Sequence, residues 1–106
     1  MAAITEASNS NQIAPSPKTL LQAARMAIDL DKPICLDYYV ASYNKNCKIA
    51  RDGTEGEKFL YKNPEEYTSP LKGMFKVDPG PDSQNSSYDL IFETQNSIYL
   101  ASGNML

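Results

Sequence analysis

Between residues 17 and 32 the apolar positions recur every three or four residues, and from residue 34 onward they recur every two. Leu20, Leu21, Ala24, Ala27 and Ile28 fall on one stripe, with Lys18, Gln22, Arg25 and Asp29 mostly on the other side, which predicts an amphipathic helix. Ser16 offers a hydroxyl as its N-cap and Pro17 suits the first helical position, where no N–H is needed. Pro33 disfavours helical geometry in the residue before it, so the helix should stop by Lys32. The stripe is expected to pack against one face of a sheet, the alternative being that it docks onto a partner protein.

The period-2 region supplies that sheet. Ile34, Leu36, Tyr38 and Val40 alternate with Cys35, Asp37, Tyr39 and Ala41, the pattern of a half-buried strand. Residues 47–51 and 58–62 flank a loop in which Gly53 or Gly56 should supply a positive φ, so they predict a hairpin. Further strands are expected at 73–77, 88–93 and 97–101, the last two turning at Gln95-Asn96. Between them lie two loops. Residues 63–70 suit one helical turn, with Asn63 as cap and Pro64 at its first position, and 78–87 are dense in turn formers. Short connections without crossover helices argue for antiparallel pairing. The expected fold is α+β: one N-terminal helix on a small, mostly meander antiparallel sheet of five to six strands, which would form a partly open barrel if it curled on itself.

Residues 1–17 contain almost nothing that packs and predict a flexible N-terminal arm ahead of one small α+β domain at 18–106. The whole chain has 106 residues, ten Lys and Arg against thirteen Asp and Glu, and a net charge of −3. Its basic residues are dispersed among acids, which argues against duplex nucleic acid or a membrane surface as partner. No stretch approaches the roughly 18–20 apolar residues of a membrane span. The first residues lack a charged leader and an apolar core, so the expectation is an intracellular, unsecreted chain with Cys35 and Cys47 as reduced thiols. The sequon at Asn85 is then read as chance.

The chemistry is bounded by an absence: the chain has no histidine. That removes the usual proton shuttle and commonest metal ligand, and two cysteines are too few for a four-thiolate zinc site. Glu65 and Glu66 with Asp37 or Glu93 would be the carboxylate candidates, and Asp78 with Asp82 the calcium candidates. None carries a specific pattern. Gly53 and Gly56 lie in a hairpin, not between a strand and a helix where a phosphate cradle needs them. Cys35 and Cys47 would need a nearby cation to act as nucleophiles, and Lys48 points to the opposite face of its strand from Cys47. No enzyme activity, cofactor, metal or small-molecule substrate is inferred.

Seven tyrosines stand out, because an apolar ring with a polar tip suits an interface. Tyr38 and Tyr39 should face opposite sides of one strand, one in the core and one at the surface. The candidate protein-interaction residues are Tyr39, Tyr43, Tyr67 and Tyr99.

Three stretches are then considered together: Asp31-Lys32-Pro33-Ile34-Cys35-Leu36-Asp37-Tyr38-Tyr39, residues 59–71 and residues 93–100. In that spacing they resemble small uncharacterised proteins encoded by large nucleocytoplasmic DNA viruses, some of which would be virion components. The resemblance implies a viral setting and no active site. The expected function is a non-enzymatic structural or interaction protein, a minor virion or capsid-associated component with protein neighbours as partners. The alternative is a small regulatory adapter that binds a host or viral protein through its sheet edge or face.

Overall fold

The computed structural model describes residues 13–53, 56–78, 80 and 88–106. In chain order the elements are α1 (Pro17–Leu30), β1 (Ile34–Cys35), α2 (Tyr39–Tyr43), β2 (Lys48–Arg51), β3 (Lys58–Asn63), β4 (Glu66–Tyr67), β5 (Gly73–Val77), β6 (Asp89–Glu93) and β7 (Ile98–Ser102). A 3₁₀ turn at Gly103–Met105 follows. The class is α+β, as the two periodicities predict.

Among the described residues the expected single antiparallel sheet is replaced by two sheets, and neither closes into a barrel. One sheet is mixed and four-stranded, in the order β1-β7-β6-β5; the other is antiparallel and three-stranded, β2-β3-β4. β1 runs parallel to β7, pairing Ile34 with Ile98 and Cys35 with Tyr99. Alternation reports which side chains share a face, and it carries no information about strand direction.

The four-stranded sheet is the middle layer. On one side Ile91, Ile98, Leu100 and Val77 pack with Ala23 of α1 and Tyr39 of α2. On the other, Leu90, Phe92 and Ala101 pack with Leu60 of the smaller sheet, Tyr38 and Cys47. Because β6 is covered on both faces, Asp89, Leu90, Ile91 and Phe92 are all buried, which explains its unbroken Leu-Ile-Phe run.

The strand expected over residues 34–41 is cut to two residues. The chain then turns, with Tyr39 N–H donating to the Leu36 carbonyl, and forms the five-residue helix α2. Tertiary bonds account for the change. Tyr39 Oη donates to Asp89 Oδ1 at 2.5 Å, and Ser42 Oγ accepts from the Ser102 N–H at 2.8 Å, which fixes α2 beside the end of β7. Tyr38 and Tyr39 do enter opposite layers, but both are buried, so the expected surface member of the pair is absent. The suggested helical turn after Asn63 is instead a tight link from β3 into β4. Asn63 keeps a capping role, its Oδ1 accepting from the Glu65 N–H at 2.8 Å. In the β2–β3 hairpin Gly56 takes the positive φ, +78°, as expected. Most of the 78–87 loop, and the arm through residue 12, lie outside the described residues; Ile13 packs against the core and Ser16 is buried.

Helix α1 begins and ends where its caps predict, with Thr19 N–H donating to Ser16 Oγ and Asp31 in a left-handed conformation after Leu30. Its rotation is the larger correction. Thr19 and Ala23 face the sheet, with Met26 and Ala27 half-buried. Of the expected inward stripe Ala27 packs against the core, but the large side chains point out: Leu20 is 40% exposed, Leu21 55% and Ile28 80%. The cause lies in β6, where Asp89 Oδ2 accepts from the Ser16 N–H at 2.9 Å and from Thr19 Oγ1 at 2.7 Å. Hydrogen bonds to a charged acceptor contribute about 1.5–3 kcal/mol each, comparable to burying a whole leucine or isoleucine. Turning the helix over would bury Leu21 and Ile28 but strand a buried carboxylate without two of its donors. At the far end Lys32 Nζ bonds Glu93 Oε2 and the Thr94 carbonyl, two positions along from Ile91 on the same strand face.

Replacing Asp89 with Asn leaves three donors facing one acceptor oxygen and two new N–H groups. Asp89→Asn should lower the unfolding free energy by about 3 kcal/mol, measured by denaturant titration. Glu93 has its pKa held below the ordinary value, first by the Lys32 hydrogen bond. A depressed carboxylate contributes stability above its unfolded pKa and loses it as pH falls through the folded one. Lys32→Met should therefore destabilise at neutral pH, with a penalty that shrinks as pH falls below the usual glutamate range.

Candidate protein-interaction surfaces

The four tyrosines named from sequence are not brought together. Tyr39 is buried with its hydroxyl on Asp89, outside the reach of any partner. Tyr99 is half-buried on β7 and meets the Tyr38 ring edge-on at 5.5 Å. Tyr43 is half-buried at the end of α2, where its carbonyl accepts from Asn104 Nδ2. Tyr67 is exposed, at 58%.

Around Tyr67 the fold builds an aromatic surface to which a phenylalanine also contributes. Strand alternation puts Phe59 and Tyr61 on one face of β3, opposite the side that Leu60 sends into the core. The β3–β4 pairing sets Tyr67 directly beside Tyr61. The Tyr61 and Tyr67 rings stack with centroids 6.5 Å apart and an interplanar angle of 15°. Phe59 stands edge-on to both, at 6.4 and 5.9 Å. Phe59-Leu60-Tyr61 was legible as an alternating aromatic pair; the position of Tyr67 depended on the turn after Asn63.

These rings line a cleft of about 380 Å³ with Thr68 and Pro70, and Asp52 and Glu57 from the β2–β3 hairpin complete it. A second hollow on the same small sheet is lined by Lys45, Lys48 and Lys62. Lys48 Nζ lies 5.7 Å from the Tyr61 ring centre, and Lys62 Nζ lies 4.6 Å from that of Tyr38. Ring faces in this protein therefore already carry cations. Burial pushes the Tyr38 phenol up to about 12, so it stays protonated beside Lys62.

Two further surfaces are apolar. On the outside of α1, Leu21, Ala24 and Ile28 line up at three- and four-residue spacing with Leu20 alongside. On β5, the last strand of its sheet, Met74 and Phe75 are both 46% exposed.

Burial raises the pKa of both thiols, Cys35 and Cys47, which makes the reactive thiolate scarcer. Asp37, Glu65 and Glu66 are exposed, while Glu93 is paired with Lys32. Among the described residues no group of three or more Cys, Asp or Glu is placed to hold a metal ion, and no helix is long and apolar enough to cross a membrane. Asp82 and the Asn85 sequon lie outside the described residues. Comparisons with protein-family models, curated proteins and solved structures find no match to this chain.

Buried Cys47 should resist alkylation by iodoacetamide in the native protein, with Cys35, half-exposed, reacting first. Unfolding in denaturant should bring the two to similar rates, as read by mass spectrometry of the modified peptides.

Proposed function

We propose that this chain is a non-enzymatic interaction protein that docks the outer stripe of α1 onto a neighbouring protein. In the setting implied by the sequence resemblance, it is a minor component of a virus particle. The observation that carries this reading is the exposure of Leu21 and Ile28 on a helix whose opposite side already covers the sheet. A helix that is apolar on both sides suits a position between two packed surfaces, and a partner supplies the second one. Burying one Leu or Ile side chain fully contributes about 1.5–3 kcal/mol, so this stripe is large enough to anchor an interface.

A second reading is supported by β5. Among the described residues its outer edge has no neighbour in the strand order, and Met74 and Phe75 alternate along it, both exposed. An adapter would add a partner's strand there through backbone bonds. A particle component would co-purify with particles at fixed stoichiometry, whereas an adapter would be found in producing cells and be missing from particles.

Leu21→Asp separates docking from folding. The side chain is already in water, so the variant should fold with a melting temperature within a few degrees of the parent. Incorporation into particles, followed by quantitative mass spectrometry, should fall at least tenfold, because a desolvated, unpaired carboxylate costs more than 1.4 kcal/mol. Unfolding of Leu21→Asp, or undiminished incorporation, would reject the helix as the docking element.

A further inference from the structure

We propose that the cleft on the three-stranded sheet binds the guanidinium group of an arginine presented by a protein partner. The site does not depend on the α1 stripe, since it lies on the outer face of a different layer. Its floor is the trio Phe59, Tyr61 and Tyr67, with centroids 5.9–6.5 Å from one another. Asp52 and Glu57 are the acidic residues of its lining. Aromatic faces attract cations through the ring quadrupole, and a planar guanidinium stacks on a ring while its N–H groups fork toward carboxylates.

The charge pattern selects the ligand. Two acidic residues in the lining repel a phosphate or a nucleic-acid backbone and complement a cation. The volume, about 380 Å³, is at the small end of ligand clefts and suits one long side chain better than an extended ligand. Lys48 on the Tyr61 ring shows that the trio tolerates a cation from the β2 side, while the Tyr67 side remains open at 58% exposure.

The hairpin ties the backbones of the two acidic residues together. The Asp52 N–H donates to the Glu57 carbonyl at 2.7 Å, and the Gly56 N–H donates to the Asp52 carbonyl at 2.8 Å. Those bonds are made by backbone atoms, so an amide side chain at 57 removes one charge and leaves them in place.

The probe is N-acetyl-arginine amide, titrated into the full chain while the aromatic ring signals of Phe59, Tyr61 and Tyr67 are followed by NMR. The controls are the matching citrulline compound, which keeps the shape and lacks the charge, and a short oligothymidylate. Arginine should shift all three rings with a dissociation constant on the order of 1–10 mM, and added salt should weaken it. Glu57→Gln should reduce affinity severalfold, and Tyr67→Leu should do the same with the carboxylates intact. Amide spectra that retain the parent's dispersion identify variants that still fold. Equal binding of citrulline, no ring shifts with arginine, or ring shifts with oligothymidylate alone would overturn the proposal. The last result would make the face a base-stacking platform instead.

Discussion

One buried carboxylate organises this fold. Asp89 opens the central strand β6 and takes hydrogen bonds from Ser16, Thr19 and Tyr39, three residues brought from two helices. A carboxylate cannot be withdrawn from water without such partners, so the start of α1 and the position of α2 are set together. Ile91, next on the same face, lies within the apolar cluster that holds Ala23, and Glu93 meets Lys32 beyond the helix end. A single strand face thus carries an anchor, an apolar seat and a second anchor in alternate positions.

That arrangement explains why an apolar stripe faces water. Hydrophobic periodicity measures how well a helix can bury one side, and for α1 it points to Leu21 and Ile28. Thr19 and Ala23 win because one carries a hydroxyl that Asp89 requires and the other is small enough for close approach to the sheet. The surface left outside is then available for assembly. Docking through α1 and the arginine cleft on the opposite layer would let one small domain touch two neighbours at once.

Local signals were well read wherever local chemistry decides. Ser16 and Pro17 begin α1, Gly56 turns the hairpin, and the 73–77 strand matches β5 residue for residue. Signals failed where distant residues decide. The alternation from Ile34 to Ala41 is real, yet the bonds of Tyr39 to Asp89 and of Ser42 to Ser102 convert its second half to helix. The parallel β1–β7 pair had no local signature at all. Of the site, Tyr67 was legible as an exposed aromatic, while its grouping with Phe59 and Tyr61 required the β3–β4 register. The acidic residues in the cleft's lining were brought there by the fold of the hairpin.

The pairing of β1 with β7 has a consequence for biosynthesis. Ile34 finds its strand partner only at Ile98, and Ser16 finds its acceptor only at Asp89. Contacts so far apart along the chain close late and slow the approach to the native state. On a ribosome adding about 5–20 residues per second, α1 emerges well before either partner exists. During that interval the helix segment has apolar residues on both sides and no sheet to cover one of them. Nascent chains on one message would hold this sticky segment close to its copies, so the early part of translation is when the protein is most open to chaperone capture or mispairing.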